Sequence, residues 1–339
     1  MCAGEVAGLR VEDQHRTQGQ RCSELGPGKP GTSRVRHCEE VRVRHSPDTA
    51  DVTIPAAARP VGIVVPAHDE GAVIDRLLTG LLEEAGPGEL DVVVVCNGCS
   101  DDTAERARRH GPDVRVVETP VPSKTAALRL GDEICSGYPR AWVDADVELR
   151  TADVRLLAGA VVDGLLVAVP DRTLERAGCP WSVRAYLSVW EELPTVRLGL
   201  FGRGVLMMSE QGHARVADLP TVMADDLWIH HAFAPTEAVV VAGATVVVRA
   251  PRTLADLVKR RTRVVEGARQ VQAHPQAGPG RSGTSLSDLR VLARSRRDLW
   301  PQLVVFGAVT VVARARASVD ARAGRTGRWH RDESSRSAR

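Results

Sequence analysis

The sequence is poor in aromatic residues: they make up 3% of 339, with two tyrosines and three phenylalanines. Lysine is scarcer still. Of 45 basic residues only Lys29, Lys124 and Lys259 are lysines, and the rest are arginines. The formal net charge is +2, and no basic block alternates with aromatics. These absences exclude the footprint of a nucleic-acid-binding protein, so no nucleic-acid partner is expected. No secretory signal is expected either, because the opening MCAGEVAGLRVEDQHR has no apolar segment. The seven cysteines are odd in number and scattered. That argues against a disulfide framework and for reduced thiols in the cytoplasm. Cys96 and Cys99 form a lone C-x-x-C. Without a second pair it reads as free thiols in a loop rather than a zinc or redox centre.

What is present is a large apolar fraction, 43%, in a chain long enough for one large domain or two small ones. Residues 1–58 are polar, rich in Gly, Arg, His and Pro, and show no sustained period. They read as a disordered leader or a misassigned start. Order is expected from about residue 59. Val61 to Val65, DVVVV from Asp91, VRVVET from Val114 and AWVDAD from Ala141 are short apolar or β-branched runs, as buried parallel strands require. Between them lie three helical patterns. The first carries Val73, Ile74, Leu77, Leu78, Leu81 and Leu82 at helical spacing. The second, SDDTAERARRHG, has an acidic start and a basic end that match the helix dipole. The third is SKTAALRLGDEI. Alternating strands and helices predict an α/β fold: a mostly parallel sheet with helices on both faces.

In such sheets ligands bind beyond the carboxyl ends of the strands. Polar residues cluster at those ends: His68, Asp69 and Glu70, then Asn97 and Asp101, then Asp144 and Asp146. In an extended segment residues i and i+2 point the same way. Asp144 and Asp146 can therefore share a divalent cation, or divide a metal and a sugar hydroxyl between them. Hard oxygen ligands suit magnesium or manganese. The plainer alternative is that one Asp caps the following helix and the other is solvated.

From about residue 60 to about 270 the chain resembles the family-2 glycosyltransferases, nucleotide-sugar enzymes of GT-A fold. VVPAHDE resembles the first strand and its loop, and VVVVCNGCSDDTAERA the second strand and the loop that holds the nucleoside base. SKTAALRLG resembles the Lys-containing helix start, and VDADVEL the D-x-D. FGRGVLMMS resembles the segment beside the acceptor, and ADDLWI the acidic pair whose second member is the catalytic base. The resemblance implies a GT-A catalytic domain over 59–272, with a nucleotide-sugar half over 59–150 and an acceptor half over 151–272.

It also implies residue roles. Asp146 would bind metal, with Asp144 on the ribose or the metal's water shell. Asp226 would be the base, with Asp225 before it where many relatives have Glu; both acids also suit a helix start. Asn97 stands where many relatives carry an Asp facing the base, and a place in the tight Asn-Gly turn is the alternative. His68, Asp69, Glu70 and Asp101 line the nucleotide end. Lys124 would pair with a phosphate or with the acids, or be a solvated helix start. VKRRTRVVEGARQ resembles the helix usually written Q-x-x-R-W, but its Gln and Trp are missing. Arg260 and Arg263 remain as diphosphate ligands or as a solvated basic face. The missing Trp argues against a processive polymer channel. His230 and His231 read as structural rather than as further metal ligands.

The implied activity is inverting, metal-dependent sugar transfer from a UDP-, GDP- or dTDP-linked donor to a hydroxyl acceptor, lipid-linked carriers included. Cell-envelope, polysaccharide or glycolipid synthesis would be its setting. A sugar-phosphate nucleotidylyltransferase is the alternative enzyme, although PAHDE is not a Gly-rich phosphate loop; a non-catalytic nucleotide-binding scaffold is the alternative outside catalysis. Residues 273–339 read as a linker, an apolar helix and a polar tail. The apolar run from Leu303 is about a dozen residues, short of the roughly 20 that span a bilayer. It is expected to pack on the catalytic domain, with peripheral contact at the inner face of the membrane as the alternative.

Overall fold

The computed structural model describes residues 43–44, 59–162, 164–220, 224–274 and 285–323. Most of the stretch read as a leader, and the tail beyond 323, lie outside the described residues. The exception is β1 (Val43–Arg44), which pairs in parallel with Val240 and Val241. The chain then runs β2 (Val61–Ala67), α1 (Ile74–Leu82), β3 (Leu90–Asn97), α2 (Thr103–Arg108), β4 (Val114–Thr119), α3 (Lys124–Ile134) and β5 (Arg140–Val143). The second half continues with α4 (Thr151–Val162), β6 (Val167–Glu175), α5 (Trp181–Glu191), α6 (Pro194–Leu198), β7 (Val205–Met208), α7 (Glu210–Val216), α8 (Asp225–Ala232) and β8 (Ala238–Arg249). Helices α9 (Leu254–Ala273), α10 (Leu286–Ser295) and α11 (Trp300–Arg322) close it.

Among the described residues one sheet carries all eight strands, in the order β1-β8-β6-β7-β5-β2-β3-β4. The pairs β2–β3, β2–β5 and β3–β4 are parallel, as alternation with helices predicts. Only β7 opposes its neighbours, β5 and β6. Both faces of the sheet are covered, which is why the strands are apolar throughout. Ile63, Val65, Val92 and Val94 point to one face and meet Ile74, Leu77, Leu78 and Leu81 of α1 and Val154 and Leu157 of α4. The alternate residues Val64, Val93 and Val95 meet Ala127 and Leu128 of α3 and Ile229 of α8.

The antiparallel strand matters most for function. Val143, the last residue of β5, pairs with Val205, the first of β7. The loop entering β7 is thereby brought to the carboxyl end of β5, next to the D-x-D. Strand β6 lies beyond β7, and its outer half, Asp171 onward, passes the same loop.

The apolar segment near the C-terminus forms a 23-residue helix, α11. Arg297–Arg322 is long and apolar enough to cross a membrane by length and composition. One face nevertheless packs on the domain: Phe306, Val309, Ala313 and Ala317 are buried, and the Phe306 ring stacks on Tyr186 of α5 at 4.8 Å. Val304, Val311, Val312 and Val319 face outward.

Candidate active site

Four acids gather where β5 ends and α8 begins. The Lys124 ammonium, at the first position of α3, sits between Asp144 Oδ1 at 2.7 Å and Asp225 Oδ2 at 2.9 Å. Ser123 caps α3, its hydroxyl accepting from the Ala126 amide, and so fixes where Lys124 leaves the backbone. Asp144 and Asp225 hold the ammonium in its charged form, raising its pKa against the cost of burial. The Asp144 carboxyl is raised too, which for an acid disfavours the charged form. Burial raises its pKa, Lys124 opposes, and Asp146 and Asp225 add repulsion. Lys124 is thus a strut between the two acidic motifs rather than a solvated helix start. In K124M the carboxylates it joins lose their counter-ion. Loss of a fully buried partner costs about 3–5 kcal/mol, and partial exposure here reduces that to about 1–3 kcal/mol. Chemical denaturation checks this; an unchanged midpoint would refute the strut.

The FGRG loop ties the two motifs together. Asp144 N donates to the Gly204 carbonyl at 2.7 Å. Gly204 has φ +69°, and a Cβ there would lie 2.6 Å from Val147 Cγ1 and 3.2 Å from Asp144 Oδ2, so only glycine fits. Gly202 N donates to Asp226 Oδ2 at 2.9 Å, and Leu227 N to Asp226 Oδ1 at 2.8 Å. Each Asp226 oxygen keeps a second lone pair for a substrate proton. Burial first, then the adjacent Asp225, push the Asp226 carboxyl above the usual aspartate range. A base with a raised pKa is better matched to taking a proton near neutrality.

Arg203, which carried no separate role in the sequence, proves central. It is 1% exposed. Its guanidinium donates to the carbonyls of Gly199 at 3.1 Å, Pro170 at 2.8 Å and Arg197 at 2.8 Å. This clamps the loop between α6 and β7. An arginine flanked by two glycines ahead of a strand was the available signal.

The loops after β2 and β3 are laced together. Asp69 adopts φ +48°, and its Oδ1 accepts from Ser100 N at 2.6 Å. Asp101 Oδ2 accepts from Gly71 N at 2.9 Å, and its Oδ1 from Thr103 N at 3.1 Å. Glu70 is buried, and its amide donates to Thr103 Oγ1 at 2.8 Å. His68 Nδ1 lies 2.6 Å from the Asn97 carbonyl. Asn97 itself is 2% exposed, and its side-chain amide donates to the Ala67 carbonyl at 2.8 Å. Gly98 follows with φ +62°, so the Asn-Gly turn is present. Asn97 therefore shapes the loop after β3 from beneath, and His68 and Asp69 beside it are more exposed. Cys96 and Cys99 are both free thiols. A hydrogen bond from Cys96 lowers the Cys99 thiol to about 6.

Burial first, then Arg203 and Arg260, lower the Arg172 pKa to about 9, so Arg260 of α9 lies near β6 rather than facing solvent alone. Arg263 lies one helical turn further along α9 and is half-buried. His230 packs edge-on against Phe201, ring centroids 5.3 Å apart, and burial lowers it to about 4. It is a neutral packing residue.

Asp144 and Asp146 suit a hard divalent cation by donor chemistry: the acids there offer oxygen alone and outnumber the ammonium among them. Among the described residues, the group of three side chains whose ligand atoms fall within 4.8 Å of one another is His68, Asp69 and Cys99, on the loops after β2 and β3. A cation at the D-x-D would complete its shell with water and phosphate oxygens, as magnesium and manganese do.

A parallel α/β sheet with a D-x-D at one strand end, joined through a lysine to an acidic pair at a helix start, defines a glycosyltransferase of GT-A fold. Residues 62–216, a little under half of the chain, match the profile described as glycosyl transferase family 2. Among solved structures, it is similar to glucosyl-3-phosphoglycerate synthase from Mycobacterium tuberculosis in complex with phosphoglyceric acid. Identity is 20% over 71% of this chain and 88% of that one, with a TM-score of 0.51. It is also similar to mannosyltransferase PcManGT from Pyrobaculum calidifontis in complex with GDP-Man and Mn2+. There identity is 19% over 80% of each chain, with a TM-score of 0.52. No curated protein sequence matches.

Proposed function

We propose that this enzyme transfers a sugar, with inversion, from a nucleotide-sugar donor to a hydroxyl acceptor in cell-envelope, polysaccharide or glycolipid synthesis. The observation that carries this reading is Lys124 bridging Asp144 of the D-x-D and Asp225 of the acidic pair, with Asp226 held by the same loop that touches Asp144. Asp226 takes the acceptor hydroxyl proton as that oxygen attacks the anomeric carbon. The bond from that carbon to the diphosphate oxygen breaks on the opposite side, which inverts the configuration. Asp146 and Asp144 would hold a divalent cation, which when bound neutralises charge on the departing diphosphate. Manganese is favoured over magnesium, since both similar enzymes were solved with Mn2+: the mannosyltransferase with GDP-Man, and the synthase with UDP and glucosyl-3-phosphoglycerate.

Thermal shift with UDP-, GDP- and dTDP-sugars, with and without Mn2+ or Mg2+, tests this. Ligand at about 100 times its Kd stabilises the folded state by about 2.7 kcal/mol. One base class is expected to raise Tm in a metal-dependent way, and D146A to lose the effect. No shift with any nucleotide sugar would defeat the donor assignment. Pyrophosphate release from a triphosphate would point to a nucleotidylyltransferase, and no metal-dependent nucleotide binding to a scaffold.

We further propose a cytoplasmic enzyme with peripheral contact at the inner face of the membrane. The outward valines of α11, with Trp300 at one end and Arg314 and Arg316 towards the other, support it. Co-sedimentation with anionic vesicles is expected, and V304D/V311D should reduce it. Equal recovery with and without vesicles would refute it.

A further inference from the structure

The acceptor side of the base is lined with cations that have almost no counter-charge. Beyond the irregularity between Pro170 and Asp171, Arg172 lays its guanidinium over the Trp190 ring, 4.4 Å from the ring centroid. Its Nη1 donates to the Gly202 carbonyl at 3.1 Å. The Gly202 amide donates to Asp226 Oδ2 at 2.9 Å. A single residue therefore holds the base by its N–H and an arginine by its C=O.

Arg172 is not satisfied where it sits. Its Nε is buried and has no acceptor. Its charged neighbours are Arg203 and Arg260, both of which work against its own charge, and Asp171. Asp171 is 71% exposed and lies 3.5 Å from Arg203. Arg203 differs in having three carbonyls of its own. A half-buried guanidinium with one carbonyl, an orphaned Nε and two cationic neighbours is costly unless something else neutralises it. Planar arginine forks match carboxylate and phosphate oxygens. On the proposed reading the donor's diphosphate would lie at the D-x-D, on the Gly204 side of the loop, whereas Arg172 is on the Gly202 side.

We infer that the acceptor carries an oxyanion, a carboxylate or a phosphate, bound by Arg172 above Trp190 with Arg260 adding charge. The inference rests on the reading of Asp226 as the base. It narrows the acceptor from any hydroxyl compound to an acidic one, such as a hydroxy acid, a phosphorylated polyol or an acidic glycan. Arg172 sets acceptor specificity, and Asp226 keeps the proton transfer.

Inorganic phosphate and acetate, titrated separately into the full chain with UDP and Mn2+ present, serve as probes by calorimetry. Saturable binding with Kd on the order of millimolar is expected. R172Q should weaken it by about tenfold or more, the loss of about 1.4 kcal/mol. R172K, which keeps the charge without the fork, should fall between, and R197Q, at an exposed side chain paired with Glu192, should leave anion affinity unchanged. Preference for phosphate or for acetate identifies which acidic group the acceptor bears. If R172Q loses its cooperative melt, R260Q is expected to weaken the anion by about threefold through the same cation cluster. Equal anion affinity in wild type and R172Q, or no saturable binding of either anion up to about 100 mM, a concentration far above the expected Kd, overturns the inference. UDP–Mn2+ affinity on the same samples reports on the donor reading separately, so failure of one is not mistaken for failure of the other.

Discussion

Replacing Asp226 with Asn is expected to lower transfer by about 10²–10⁴-fold, the span of a positioned general base. Nucleotide binding should survive, because the side chain meets the Gly202 and Leu227 amides rather than the D-x-D. The fold should survive as well. Asp226 has a raised pKa, so the folded protein disfavours its ionised form. Such a group costs stability as pH rises through its folded pKa. At neutral pH relief of that charge offsets the one backbone amide that Asn can no longer accept from, so D226N should stay within about 2 kcal/mol of the wild type, and a larger loss would point to misfolding instead. The same shift predicts the acid limb of kcat/KM. It should lie above the ordinary aspartate value of about 3.9, because a proton on Asp226 disables the base. D225N removes the next largest cause after burial and should move that limb downward. Near-normal turnover in D226N, measured with a matched donor and acceptor, would remove Asp226 from the mechanism.

The second large effect is on stability. R203M is expected to cost about 3–5 kcal/mol, since it removes a buried guanidinium that donates to three backbone carbonyls. For a domain of this size that is a fall in Tm on the order of 10 °C. Methionine keeps much of the volume, so the loss reports on hydrogen bonding rather than on a cavity. R197M is the control. The Arg197 side chain is 67% exposed and pairs with Glu192 at 3.7 Å, so its loss should change stability by no more than about 0.5 kcal/mol. If R203M melted with R197M, the clamp would be dispensable. Because Arg203 lies between the glycines that touch Arg172 and Asp144, partially folded R203M should also lose transfer faster than it loses nucleotide binding.

Much of the nucleotide half was legible because its physics is local. Val61–Ala67 and Leu90–Asn97 are buried on both faces, so their sequences are apolar without alternation. Leu77, Leu78 and Leu81 repeat at the helical period because one face of α1 meets the sheet. The acids at the strand ends followed from parallel topology. The acceptor half was less legible because its pairing is remote. Val205–Met208 is a four-residue apolar run, and nothing in it tells a parallel strand from an antiparallel one; its direction is set by Arg140–Val143, some 60 residues earlier. Two residues, Val43 and Arg44, are too few to show a period at all. Asn97 could face a nucleotide or shape the Asn-Gly turn, and spacing does not tell the two apart, because a side chain turned under its own loop leaves no trace in it. Arg172 stood in an ordinary strand sequence and acquired its role only when Gly202 and Trp190 were folded against it. The apolar run near Leu303 looked a dozen residues long because Arg314 and Arg316 interrupt it, yet long arginine stems continue a helix without difficulty, and α11 runs on to Arg322.

The meeting of β5 with the start of β7 has an engineering consequence. With Asp144 on the donor and Asp226 on the acceptor as proposed, their recognition would not be separable into modules, because both residues hang on the three-residue segment Gly202-Arg203-Gly204. Chimeras that exchange acceptor halves with a relative inherit a working seam only if these three residues and the Asp144 segment travel together. Directed evolution toward new acceptors should accordingly spare the three and diversify the residues that lean on them from outside, Arg172 and Trp190 first.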